Sequence, residues 1–413
     1  MTELESPEER YVPRPARTGL AICLSGGGFR ATLFHVGALR RLNDFGILSR
    51  ATTFSSVSGG SITNGLLAAV WPQLQADGRG RFTNWVPVFE ARLREFCARN
   101  IRTGPLLWER LNPANWSRLA RDDFSVTDLL VEEYRHLVGD LPLRDLSRHH
   151  RPNFIFCASN LQTGVNFEFS ARHVGDYVIG YAEPGDLTVA EAIGASSSFT
   201  VTFPPLVRHL DPGRFHGAHR KAAPADWKWD GRLSLTDGGV YDNMGLEPVW
   251  KTHAVIFVSD GGTPFALDRQ PGSWVVPRLV RAYGISANQS EAVRKRWLVA
   301  SYTRRVYQGA YWGLGTDVAE YPTDGEAPWP GYRGRTLDML RRFRTDLDAF
   351  GSDEQDILVN HGWCLANAAV RRWCVELATG GLDLTAPPHP SLLSPTEAEK
   401  ALVHSGDFRF LGR

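Results

Sequence analysis

The chain lacks the features that mark several large protein classes. No apolar run approaches the ~18 residues that a membrane-crossing helix needs. Residues 1–18 have neither the basic start nor the apolar centre of a secretory leader, and they are polar, with Glu3, Glu5, Glu8 and Glu9. Charge of one sign is not in excess: 46 Lys plus Arg stand against 45 Asp plus Glu, a net +1, so no global field draws the chain to nucleic acid. Cysteine is scarce, and Cys23, Cys97, Cys157, Cys364 and Cys374 are scattered and odd in number. Such spacing points to free thiols in a reducing compartment and offers no metal site. There is no internal repeat and no low-complexity segment. The expectation is a cytoplasmic protein that needs no metal or cofactor and meets a membrane only peripherally.

What is present suits a globular enzyme. The 413 residues, 43% hydrophobic and 22% charged, suffice for one large domain or two ordinary ones. The most informative stretch runs from Leu20 to Val70. A short apolar run, Leu20–Leu24, breaks into Ser25-Gly26-Gly27-Gly28 and continues into a helical pattern over residues 29–48. A second strand over 52–56 breaks at Ser56-Val57-Ser58-Gly59-Gly60, and Ile62, Leu66 and Val70 share the face of a following helix. Successive glycines leave no Cβ between main chain and ligand, and a glycine loop feeding a helix aims unpaired N–H groups at one point. Ser58 sits where a sharp strand-to-helix turn would lift its hydroxyl onto the positive end of the next helix. A nucleophile beside an anion cradle is the minimum kit for acyl transfer through an oxyanion. Either motif alone would suit a nucleotide loop or a plain turn; their order on consecutive strand–helix units favours acyl chemistry. Arg30 opposes the helix dipole, which leaves it either solvated or paired with a carboxylate or anion.

Residues 73–150 read as a mainly helical insertion, with a capping signal at Ser125–Asp128. Asn153–Ser159 reads as a strand, and Val165–Phe169 alternates as its hairpin partner. Residues 211–230 form a loop rich in Pro, Gly, His and Lys. Two later strands each end in Asp-Gly-Gly, at Asp237-Gly238-Gly239 and at Asp260-Gly261-Gly262. The run Ala254–Val258 has the continuous apolarity of a buried parallel strand. Ligand sites in open parallel sheets lie beyond the strand carboxyl ends, so either aspartate qualifies as base for Ser58. Further on, Val306–Leu314 suits a strand, Asn288–Tyr302 a helix with a basic cluster at Arg294-Lys295-Arg296, and Ser394–Glu397 a capping box whose helix ends near Gly406. That basic cluster is either a membrane-facing patch or a solvated helix face.

The set Ser25-Gly26-Gly27-Gly28-Phe29-Arg30, Ser56-Val57-Ser58-Gly59-Gly60 and Asp237-Gly238-Gly239 resembles the patatin-like phospholipases over roughly Leu20 to Gly262. Ala195-Ser196-Ser197 before Phe203-Pro204-Pro205 is similar to the segment ahead of that family's aspartate, and Arg344–Phe350 with His361-Gly362 is similar to bacterial members. The resemblance implies an α/β fold: a three-layer α/β/α sandwich with a mainly parallel central sheet, a catalytic domain over 19–265 carrying the 73–150 insertion, and a mainly helical region over 266–413 packed on it, after a polar tail over 1–18. It implies a Ser58–Asp237 dyad without histidine, an oxyanion hole from Gly26, Gly27, Gly28 and Gly59, and support from Arg30, Gly60, Gly238 and Gly239. Asn243 and Gly245 after Asp237 favour it over Asp260 as the motif aspartate. The implied substrate is a phospholipid or lysophospholipid at a peripheral membrane surface. Ser25, Ala31 and Ser56 depart from the family pattern, each with a small residue that keeps the turns possible and leaves substrate preference open. Two other readings compete: a Ser-His-Asp hydrolase or acyltransferase using His253, His361 or His404, and a catalytically silent lipid-binding or scaffold protein. A dyad aspartate must be partly buried to be a useful base, so a water-poor site is expected.

Overall fold

The computed structural model describes residues 16–403 apart from 109–110, 122–123, 148–151, 201, 219–226, 266, 326 and 384–385. Most of the polar tail, the centre of the 211–230 loop, His404 and the end of the last helix lie outside the described residues.

Strand β1 (Leu20–Leu24) is flanked by β2 (Thr53–Val57) and by β9 (Val255–Asp260), all parallel. Strands β3 (Asn153–Asn160) and β10 (Gln308–Gly313) extend this parallel centre on either side. Beyond β3 the pairing turns antiparallel through β4 (Asn166–Phe169), β5 (Val174–Asp176) and β6 (Gly180–Ala182). Strands β7 (Leu206–His209) and β8 (Arg232–Asp237) form a hairpin whose β8 also pairs antiparallel with β3. The hairpin of β3 and β4 and the strand β10 agree with the sequence reading.

Strand alternation divides the core into two layers. Leu20, Ile22, Leu24 and Phe257 face one apolar cluster, while Ala21, Cys23, Ile256 and Val258 face another. The first face is covered by α1 (Gly28–Asp44), α2 (Gly59–Val70), α3 (Ala91–Cys97), α4 (Val126–Val138), α5 (Val189–Ser197) and α7 (Ser352–Trp373). The second carries α6 (Val275–Thr303), which packs there through Leu298 against Met244, Leu246 and Val249. The result is a three-layer α/β/α arrangement around a mixed sheet with a parallel centre.

Helix α4 begins where the capping signal stood, with Ser125 accepting from the Thr127 N–H and Asp128 closing the box. Helix α5 was not anticipated; it starts at a box between Thr188 and Glu191 and is built of small residues. Helices α1 and α7 touch backbone to backbone. A Cβ on Gly37 would lie 1.8 Å from the Val359 carbonyl oxygen, and one on Gly362 would lie 1.9 Å from that of Phe34. Beside this notch the buried Arg41 donates to Asn367 at 2.7 and 3.0 Å and stacks over Phe45 and Trp363. All five cysteines are buried free thiols.

Candidate active site

Ser58 follows directly on β2 and caps α2. Its backbone holds φ 50° and ψ −118°, a conformation that costs a non-glycine residue on the order of 1–3 kcal/mol. Its N–H donates to the Ser196 hydroxyl at 2.9 Å, and that hydroxyl donates in turn to the Cys157 carbonyl at 2.6 Å. Ser61 and Ser56 extend the chain of hydroxyls at 2.8 and 2.9 Å. These bonds hold the turn against relaxation. Ser196 had been grouped with the family-like segment by sequence, but nothing local to it signalled this bracing role.

Strand register explains why Asp237 is beside Ser58. β2 and β4 lie on opposite edges of β3, because both pair with Phe156 and Cys157. β8 and β4 are also on opposite edges, because both pair with Ala158 and Ser159. β2 and β8 therefore share one edge of β3 and run toward each other, with Val57 opposite Cys157 and Asp237 opposite Ala158. The sequence reading placed both aspartates beyond strand ends of an open, mainly parallel sheet and gave the strand before Asp237 no direction of its own; β8 is antiparallel to β3, and the carboxyl ends of β2 and β8 meet head-on.

The Asp237 carboxylate accepts the Gly239 N–H at 2.7 Å and lines the same cavity as Ser58. Burial pushes its pKa up to about 6, against the lowering pull of the Gly239 N–H and of the nearby Ser58 side chain. Its own N–H and that of Gly238 are held by the carbonyls of Ser198 and Ser196, so the end of α5 braces both Ser58 and Asp237. Asp260 has a different setting. It accepts the Tyr311 hydroxyl at 2.6 Å and the Gly262 N–H at 2.9 Å, and it lines a neighbouring cavity of about 290 Å³. Glu291 of α6 is there too; burial first, then the Asp260 charge, raises its pKa to about 8.

The glycine loop passes close to Ser58. A Cβ on Gly59 would lie 2.2 Å from the Gly28 oxygen, and one on Gly60 would lie 2.2 Å from the Leu24 oxygen. Among the described residues no acceptor takes the N–H of Gly27, Gly28 or Gly59. Gly26 differs: its N–H donates to the Asn243 carbonyl at 3.1 Å, which removes it from the free donors grouped by sequence. Arg30 is neither solvated nor joined to a carboxylate. It is buried, donating to the carbonyls of Phe343 at 2.9 Å and Gly261 at 2.8 Å and to the Thr263 hydroxyl at 2.8 Å. Burial lowers its pKa to about 10, with Asp260 and Glu291 opposing at longer range. The loop is further tied by the Phe29 N–H donating to the Asp346 carbonyl at 2.8 Å, and Arg102 of the insertion binds that residue's carboxylate at 2.7 and 2.8 Å. His35, not singled out by sequence, bridges the Ser25 carbonyl and the Ser259 hydroxyl at 2.9 and 2.8 Å, and burial lowers its pKa to about 4.

Ser58, Asp237, Gly26, Gly27 and Gly28 line one cavity of about 540 Å³, walled by Phe199, Phe203, Tyr241, Phe265, Tyr283 and Leu347. No histidine is among the described residues that line it. His253 bonds Thr53 at the opposite, amino end of β2, at 2.8 Å. His361 is buried on the Leu314 carbonyl at 2.8 Å, with its pKa lowered to about 4 by burial. Neither reaches Ser58, and His404 lies outside the described residues. The basic cluster divides around its helix: Arg294 stacks over Tyr241 near Asp242, Lys295 over Tyr311, and only Arg296 is exposed. It forms no common patch.

These features describe a three-layer α/β protein with a serine at the carboxyl end of a central strand, facing a glycine loop. The patatin-like phospholipase model matches residues 22–250, more than half of the sequence, and the chain belongs to that family. Human GIVD cytosolic phospholipase A2 is similar in structure, with 14% identity over 94% of this chain and 60% of that one and a TM-score of 0.44. VipD from Legionella pneumophila is similar at 15% identity over 95% of this chain and 74% of that one, with a TM-score of 0.32. This chain thus spans about 60% of the length of the human enzyme it matches. No curated protein sequence matches it. Among the described residues no helix is long and apolar enough to cross a membrane.

Proposed function

We propose that the protein is a serine acyl hydrolase that cleaves ester-linked fatty acids from phospholipids or lysophospholipids, with Ser58 as nucleophile and Asp237 as its base. The observation that carries the reading is that the buried Asp237 carboxylate, raised to about 6, shares one cavity with Ser58 and that the described lining of this cavity has no histidine. In the forward step the Ser58 oxygen attacks the ester carbonyl as its proton passes to Asp237. The carbonyl oxygen becomes an oxyanion that takes hydrogen bonds from the N–H groups of Gly27, Gly28 and Gly59, a role supported by their having no acceptor among the described residues. Collapse expels the alcohol portion, which takes the proton from Asp237 and leaves an acyl-Ser58 ester. Water, deprotonated by Asp237, then releases the fatty acid and restores Ser58. The aromatic wall suits an acyl chain, and the burial of Asp237 beside it favours the raised carboxyl. Arg30 acts through the loop, fastening Gly261 and the 343–346 segment behind the glycines.

The test is product analysis of mixed phospholipids with the purified protein, alongside labelling by a fluorophosphonate. Free fatty acid and a labelled Ser58 peptide are expected, and both should vanish in Ser58→Ala. Undiminished labelling in that variant, or release of fatty acid by it, would remove Ser58 from the role.

A further inference from the structure

Helix α6 is exposed along most of its length. Among its described residues only Leu298 and Ser301 are buried. Over the first turns Val275, Val276, Leu279 and Ile285 are exposed, and Leu267 and Trp274 just ahead of them are 93% and 81% exposed. A helix that is apolar on most sides is normally enclosed by protein or lipid, and a contiguous apolar patch marks an interaction surface. The inward side of this segment is already used. Arg281, Gly284, Ala287 and Glu291 line the cavity that holds Ser58. One helix thus forms the cavity wall and shows the outside an apolar face.

Two more parts of the cavity rim are apolar and open. Phe199 lines the cavity and is 45% exposed. Arg102 also lines it, and the chain beyond exposes Trp108, Leu111 and Trp116. Charge chooses among occupants. From Arg269 to Ser290 there is no acidic side chain, while Arg269 and Arg278 are exposed and Arg281 lies over the Phe265 ring at 4.2 Å. Asp268, beside Leu267, is an exposed carboxylate at the edge of this surface, but from Arg269 onward apolar residues edged by cations complement an anionic lipid interface.

We infer that the amino-terminal half of α6, with Leu267 and Trp274, inserts into the surface of an anionic bilayer and opens the Ser58 cavity onto the lipid. This gives the proposed acyl hydrolase its substrate source and rests on that reading for its purpose. Binding itself is measured separately from hydrolysis.

The experiment uses the full chain carrying Ser58→Ala, so vesicles stay intact, and sediments it with vesicles of phosphatidylcholine with or without phosphatidylglycerol. Binding is expected to favour the anionic vesicles. Adding Trp274→Ala, Val276→Ser and Leu279→Ser together should weaken it by at least about tenfold, the scale set by burying a few apolar side chains. In the chain with Ser58 intact, the same triple substitution should leave hydrolysis of a soluble short-chain nitrophenyl ester unchanged, because none of the three lines the cavity. A milder variant guards against misfolding: brominated lipid should quench the tryptophan emission of the parent chain more than that of Trp274→Phe. Absence of binding by the parent chain, undiminished binding by the triple variant, or equal quenching would overturn the inference. So would a dimer that the triple substitution converts to monomer without changing vesicle binding. Loss of soluble-ester activity in the unmodified chain would instead defeat the hydrolase reading and leave the binding result standing.

Discussion

As the proposed base, Asp237 meets opposite demands from folding and from chemistry. Its charge is disfavoured by burial, yet a base must be ionised to accept a proton. We therefore expect kcat/KM on a soluble ester to climb to a plateau as pH rises through about 6, and a limb near pH 4 would separate Asp237 from the chemistry. Stability should move the other way. The folded value lies above the unfolded one, so the native state binds the extra proton. That contribution is full below the unfolded pKa of about 3.8 and is lost as pH rises through about 6. Asp237→Asn should accordingly cut the rate by roughly 10²–10⁴ while raising stability at neutral pH by on the order of 2–3 kcal/mol. Urea unfolding and ester hydrolysis of one preparation check both, and a variant that is active or less stable contradicts the account. Asp260→Asn should cost much less activity. Ser58 offers a parallel case: Ser58→Gly should be more stable than Ser58→Ala by about 1 kcal/mol, because only glycine adopts φ 50° without strain. Equal midpoints in urea would show that the turn is unstrained.

At the scale of elements, α1 and α7 depend on two missing side chains. Gly37→Ala and Gly362→Ala should each destabilise by about 3 kcal/mol or more, since the new methyl meets backbone that side-chain motion cannot clear. Gly78→Ala, with open space around it, should stay within ~0.5 kcal/mol. Thermal melts of the three variants decide it. This contact was invisible in the sequence, where Gly37 reads only as a weak helix residue. Strands β1, β3 and β9 were legible as largely apolar runs, whereas β2, Thr53-Phe54-Ser55-Ser56-Val57, was read mainly from the serine turn that follows it. The direction of β8 was not, since period-2 alternation is the same in either direction. The start of α6 was missed because Val275–Val280 is apolar apart from Arg278 and shows no helical alternation of polar and apolar faces, and Pro277 and Gly284 argue against a helix. The loop glycines, Ser58 and Asp237 could be read from local motifs. Arg30 could not, because its partners Gly261 and Phe343 lie far along the chain.

For the whole molecule, the parts that follow the family-like region are bound into it. Strand β10 pairs with β9 along its full length, α7 rests on α1, and Phe343 and Asp346 supply carbonyls to Arg30 and Phe29. A chain ended at residue 265 would leave α1 open to water and the glycine loop untied. It should yield no soluble, cooperatively melting protein, as judged by gel filtration and circular dichroism. A monomer with a sharp melt would show that the later residues are an addition rather than a support. The meeting of β2 and β8 on one edge of β3 has an effect of another kind. Adjacent residues of a single strand, Cys157 and Ala158, act as the ruler for Ser58 and Asp237. The distance between the two is then independent of how much polypeptide loops out before β3 or between β4 and β8. Such a plan permits growth by insertion: segments that reshape the mouth of the cavity can lengthen, shorten or be exchanged while the proposed reacting pair keeps its spacing.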